Sequence, residues 1–172
     1  GISPRSKFRV RIYNESMETI HLEQKIKSHD LTQKKSCLLR EAECLLLLQG
    51  KQVRPMDTER PLFRLLQTEM LLHRLLPKII VEYERTAYTC RNGNVRVTFD
   101  QNLASSGYVL RFPDPELPKR PVMAAGWHIM EVKYDEFLPR HIRDALDTGK
   151  LERTTFSKYM LCRRHALGGA AH

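Results

Sequence analysis

Residues 7–12 alternate without exception, with Lys7, Arg9 and Arg11 in one phase and Phe8, Val10 and Ile12 in the other. Side chains alternate across a strand, so this segment predicts a β-strand with one cationic face and one apolar face. The pattern returns at 21–27, where His21, Glu23, Lys25 and Lys27 oppose Leu22, Gln24 and Ile26, and again at 83–85, 95–97 and 131–133. Around 95–97, Arg96, Thr98 and Asp100 alternate with Val95, Val97 and Phe99, while Glu131 and Lys133 alternate with Met130, Val132 and Tyr134. Like charges facing one another across a sheet repel, so strands that collect them need a compensating anion or tolerate lost stability. The simplest compensating ligand is a polyanion.

The composition agrees with an anionic partner. The chain of 172 residues carries a net charge of +9 and has a pI near 9.6, at 41% hydrophobic and 28% charged residues. Those proportions suit one globular domain with a proper core. Charge alone leaves nucleic acid, a membrane surface, nucleotides and polyphosphate open. The basic strands lack the interleaved exposed aromatics that single-stranded nucleic acid stacks upon, so nucleic acid is not the expected partner. No apolar run approaches the roughly 20 residues that span a bilayer, and the N-terminus has no signal-peptide core. Cys37, Cys44, Cys90 and Cys162 have no zinc spacing and read as reduced thiols of a cytoplasmic protein. The seven histidines show no HExxH spacing and read as structural.

The order of elements predicts an α+β fold. Two strands, 7–14 and 20–27, flank a turn at Asn14-Glu15-Ser16. A Leu-rich helix follows over 38–49 and stops at Gly50; a second starts at Pro61 and runs to Leu76, with apolar residues on so much of its circumference that it should be largely buried. Strands are predicted at 78–89 and 94–101, about the turn Arg91-Asn92-Gly93. Residues 102–126 read as a long irregular excursion with one short strand at 108–112, followed by a strand over 127–134. Helices over 136–147 and 155–165 come next, the latter capped by Thr154 or Thr155, and 166–172 is a featureless tail.

Six segments, in this order, resemble the VTC domain: Lys7-Phe8-Arg9-Val10-Arg11-Ile12-Tyr13-Asn14, Leu22-Glu23-Gln24-Lys25, Tyr83-Glu84-Arg85-Thr86-Ala87-Tyr88, Asn94-Val95-Arg96-Val97-Thr98, the stretch from Glu131 to Pro139, and Phe156-Ser157-Lys158-Tyr159. This is the polyphosphate polymerase branch of the triphosphate tunnel metalloenzymes. The resemblance covers 7–164 of a single domain spanning 1–172. It implies an antiparallel β-tunnel with helices packed outside, in which the γ-phosphate of ATP is transferred to a growing polyphosphate chain. Carried over residue by residue, Lys25, Arg85 and Arg96 match positions that serve catalysis and contact phosphate. Arg9, Arg11, Tyr83, Lys133, Ser157 and Lys158 match substrate-binding positions, and Glu131 matches a carboxylate that holds Mn²⁺ or Mg²⁺. Lys27 and Lys35 fall near basic positions of the tunnel without a fixed register.

Family members carry further strands before the Arg9-Val10-Arg11 strand. The resemblance therefore implies a tunnel incomplete at its N-terminus, with an open edge that a second copy could complete, and it leaves recruitment by a membrane-protein partner open. The inventory suits the chemistry, because phosphoryl transfer asks for positioning and charge stabilisation rather than a histidine or cysteine nucleophile. Two other functions fit the same residues: a triphosphate hydrolase with water as acceptor, and a non-catalytic sensor that holds polyphosphate or inositol phosphates. Ser157-Lys158 and the spacing from Arg85 to Arg96 favour the polymerase.

Overall fold

The computed structural model describes residues 5–29, 31–54, 59–147, 149, 151 and 154–168. The chain is α+β, with antiparallel sheets and helices, and it divides into two compact units. The first comprises residues 1–78 and 108–117; the second comprises 79–107 and 118–172.

The first unit is built on a three-stranded sheet in the order β1 (Arg5–Tyr13), β2 (Ser16–Ser28), β3 (Leu31–Leu39). The turn between β1 and β2 puts Asn14 and Glu15 at φ 52° and 57°, the left-handed pair that a two-residue hairpin requires. Strand β3 is a correction to the sequence reading, which left 31–37 without an element. Its residues 31–36 are exposed on both faces, so neither phase is apolar and the usual alternation is missing. Pairing with β2 along its whole length, from Ile20↔Leu39 to Ser28↔Leu31, is what makes it a strand.

The apolar face of this sheet is covered by α1 (Glu41–Leu48) and α2 (Pro61–His73). Ile20, Leu22, Leu39, Cys44, Leu47, Leu62, Phe63, Leu66 and Met70 form the core, and Phe8, Val10, Ile12 and Phe112 pack against it. Each fully buried side chain of this size contributes about 1.5–3 kcal/mol by leaving water. Helix α1 starts at Glu41 rather than at 38, because 38 and 39 are committed to β3 and the Glu43 carboxylate caps the Arg40 N–H at 2.8 Å. Gly50 closes it as expected: at φ +70° it lets Lys51 N–H reach Leu46 O at 2.9 Å and Gly50 N–H reach Leu47 O at 3.0 Å. Pro61 opens α2, but the helix ends at His73, three residues before the expected boundary, where Arg74 turns left-handed at φ 51°. It is not largely buried either. Leu71 and Leu72 are exposed, as are Leu75 and Leu76 beyond its end, and burial is confined to the stripe Leu62, Phe63, Leu66, Gln67, Met70.

The second unit centres on β5 (Val95–Ser106), flanked by β4 (Ile80–Cys90) on one side and by β7 (Ile129–Lys133) and the two-residue β6 (Arg120–Pro121) on the other. Gly93, at φ +73°, forms the β4–β5 turn, and its carbonyl accepts Asp135 N–H at 3.2 Å, which fixes the end of β7 beside that turn. Strand β5 runs five residues beyond the predicted end through a bulge at Asn102, where the ladder shifts between Glu82↔Ala104 and Glu84↔Gln101. Leu103, Val122 and Cys162 are its buried centre, with Ile79, Val81, Tyr83, Met123, Ile129 and Leu161 around them.

Helix α3 (Arg140–Leu146) begins only after Pro139, and α4 (Lys158–Gly168) begins after Ser157 rather than near Thr155. The Leu161 N–H bonds the Ser157 carbonyl at 3.0 Å, so Ser157 takes the cap position expected of Thr154 or Thr155. Residues 166–168 continue α4 instead of forming a tail; 169–172 lie outside the described residues. The expected strand at 108–112 is a 3-10 turn, Val109–Arg111, closed by Arg111 Nε donating to Asp114 Oδ2 at 2.9 Å. Among the described residues no helix is long and apolar enough to cross a membrane.

Candidate phosphate-binding faces

In the first unit the register sets Lys7 opposite Lys25 and Lys25 opposite Lys34, with Arg9 opposite Glu23 and Arg11 opposite His21. Arg9, Arg11 and Lys25 thus share a face with Lys27, as the alternation predicted. Lys35 pairs with Gln24 and lies on the other face, away from them. Glu23 is the pivot. Its side chain is 7% exposed, and it accepts hydrogen bonds from Arg9 Nε at 2.9 Å and Lys34 Nζ at 2.7 Å, with Arg11 Nε at 4.0 Å. Burial pushes the Glu23 carboxyl up, but the bonds from Lys34 and Arg9 and the charges of Arg9 and Arg11 outweigh it and hold the pKa at about 2.

In the second unit, Arg85 opposes Asp100 across β4 and β5, and Arg96 and Thr98 oppose Lys133 and Glu131 across β5 and β7. Arg85, Arg96, Glu131 and Lys133 therefore share one face, and a small concavity is lined by these four and Thr98. A broader, open groove lies beside it, lined by Asn94, Arg96, Val132, Lys133, Tyr134 and Asp135.

Helix α4 brings Lys158 to this sheet. Its Nζ lies 2.5 Å from Asp100 Oδ2 and 4.9 Å from the centre of the Tyr83 ring, while the Arg85 guanidinium lies 5.3 Å from the same ring. Arg85 grips Asp100 with both prongs, Nε to Oδ1 at 2.6 Å and Nη2 to Oδ2 at 2.8 Å. Asp100 is 1% exposed; burial raises its pKa, but Arg85 and Lys158 together keep it below the ordinary carboxylate value. Arg85 is pushed further up by the same bond. Ser157 is exposed, and its hydroxyl lies 3.4 Å from Met160 N in the first turn of α4.

Glu131 is 47% exposed, with Lys133 Nζ at 3.4 Å. Among the described residues no group of three or more acidic, histidine or cysteine side chains comes together, so Glu131 is a single hard oxygen donor. That donor set suits a divalent cation that arrives with phosphate oxygens to complete its shell, as Mg²⁺ prefers, rather than a cage made wholly of protein ligands.

Three residues of these faces escaped the sequence reading as site residues: Lys34, Thr98 and Asp100. Thr98 and Asp100 were legible, because they stand two and four positions after Arg96 on the same face. The Thr98 hydroxyl is buried with no hydrogen-bond partner beneath the concavity. Lys34 was not legible, since the strand that carries it has no alternation.

Strands of both sheets present Arg and Lys on their polar faces, and in the second sheet the exposed Glu131 carboxylate lies among them. The VTC domain model matches residues 1–166, and the chain belongs to the VTC domain family. That family is associated with polyphosphate synthesis. Neither the curated proteins nor the solved structures gave a match.

Proposed function

We propose that this protein is a polyphosphate polymerase that uses ATP. The observation that carries the reading is the gathering of Arg85, Arg96, Lys133 and Glu131 on one sheet face with Lys158 delivered to it by α4. A terminal oxygen of the growing chain attacks the γ-phosphorus of ATP, the bond from that phosphorus to the bridging oxygen breaks, and ADP leaves. Arg85 and Arg96 stabilise charge on the transferring group, the largest contribution a protein makes to such a step, and the family resemblance assigns Lys25 of the first unit a catalytic role as well. Lys133 and Lys158 bind further phosphates, with Tyr83 and Ser157 in the same unit, and the family resemblance assigns Arg9 and Arg11 of the first unit to substrate phosphates. The β-tunnel that the family resemblance implies is part of this reading.

Mn²⁺ or Mg²⁺, held by Glu131 together with phosphate oxygens, would lower the repulsion between two anionic reactants. Cys37, Cys44, Cys90 and Cys162 read as reduced thiols, which suit a reducing compartment, and we place the protein in the cytoplasm.

The test is incubation with ATP and Mn²⁺, with products resolved by gel, beside Lys25→Ala and Glu131→Gln. Long polyphosphate from the parent, absent or strongly reduced in both variants, is the expected result. Free phosphate without chains would replace this reading with a hydrolase, and tight tripolyphosphate binding without turnover would replace it with a sensor.

A further inference from the structure

Each basic face is organised round one buried carboxylate that the proposed reaction does not use. Asp100 receives three charge-assisted bonds, two from Arg85 and one from Lys158. Glu23 receives Arg9 and Lys34 and lies within 4.0 Å of Arg11. Both carboxylates are outnumbered by the cations they hold, so each cluster remains positive.

A negative charge beside an anion site opposes binding through space. It favours binding only by what it does to the cations. A free arginine or lysine samples many rotamers, and ordering it costs on the order of 2 kcal/mol of side-chain entropy. The two-pronged bond fixes the Arg85 plane, and the Tyr83 ring confines both Arg85 and Lys158. The remaining N–H groups of these cations then point in set directions before any ligand arrives.

We propose that Asp100 in the second sheet, and Glu23 in the first, are positioning residues that pre-orient the phosphate-binding cations. The inference rests on the phosphate-binding reading of the two faces. It differs from a purely structural ion pair, which would support the fold and leave affinity alone, and from a merely repulsive charge, whose removal would tighten binding.

The experiment is calorimetric titration of the whole chain with inorganic tripolyphosphate, comparing the parent with Asp100→Asn and Glu23→Gln at matched salt. Each variant gains one unit of positive charge, yet its affinity should fall by about tenfold or more, the worth of a charge-assisted bond. Equal or tighter binding by folded variants would overturn the proposal.

A second readout needs no ligand and covers a variant that fails to fold. In the free parent, the Arg85 side-chain Nε–H should exchange with water far more slowly than that of exposed Arg64, followed by ¹⁵N NMR. Exchange as fast as that of Arg64 would overturn positioning by Asp100. A parent that binds no tripolyphosphate would instead sink the phosphate reading, whatever the arginine signal shows.

Discussion

Lys34 reaches Glu23 diagonally, Nζ to Oε1 at 2.7 Å, although the residue that faces it across the sheet is Lys25 and the one facing Glu23 is Ser36. The diagonal bond draws Lys34 away from a row that runs Lys7, Lys25, Lys34 straight across three strands. Like charges directly opposite each other are destabilising by roughly 0.2–1 kcal/mol per pair. Lys25→Met should therefore raise the Tm of the ligand-free protein. The same substitution should shrink the rise in Tm that tripolyphosphate gives the parent. Thermal melts with and without tripolyphosphate check both signs.

Glu23 should make the stability of the first sheet sensitive to acid. Its pKa falls from 4.5 to about 2 on folding, a displacement worth on the order of 3 kcal/mol. A carboxylate depressed in this way contributes its full share above pH 4.5 and loses it as pH drops from 4.5 towards 2. Urea melts over that window should show the parent losing more stability than Glu23→Gln, so that the gap between them closes at the acid end.

A different carboxylate should affect stability without touching phosphate. Glu43 takes Arg60 Nη2 at 2.6 Å and Nη1 at 3.0 Å, and the Arg60 side chain also bonds Leu38 O at 2.8 Å. This ties α2 to α1 and to the end of β3, on elements that cover the apolar face. Glu43→Gln should cost about 1–3 kcal/mol of unfolding free energy and leave tripolyphosphate affinity unchanged. Chemical denaturation and calorimetry on the same preparation separate the two effects.

Thiol chemistry should divide the cysteines by burial. Cys44 is fully buried and its thiol is pushed up to about 11 by loss of water and by the charge of Glu41. Cys162 is also fully buried and raised, chiefly by burial. Iodoacetamide at neutral pH should mark Cys37 and Cys90 first, with Cys44 and Cys162 labelled only after denaturant is added. Peptide mass spectrometry reads the order directly.

The strands with one apolar face were legible, and so were Gly50 and Pro61, because period-2 alternation and cap chemistry are local properties. What escaped has physical reasons. Strand β3 is held by its ladder to β2 rather than by a buried face, so its Gln33-Lys34-Lys35-Ser36 stretch carries no pattern. The upper part of α2 has the composition of a buried helix, but its Leu71 and Leu72 are exposed, as are Leu75 and Leu76 beyond its end, and composition does not say which side of a helix is covered. On the polar faces, the alternation of Arg96, Thr98 and Asp100 was plain. That Asp100 would be buried under two cations depended on α4 arriving from 58 residues further on with Lys158.

The segment Tyr108–Leu117 belongs with residues 1–78, yet both its ends run into the second unit. The backbone consequently passes from one unit to the other three times, and Phe112 brings a side chain from this excursion to the first core. Neither unit is a contiguous stretch of gene. A break in the chain at position 78 would therefore separate the first sheet from a piece of its own packing.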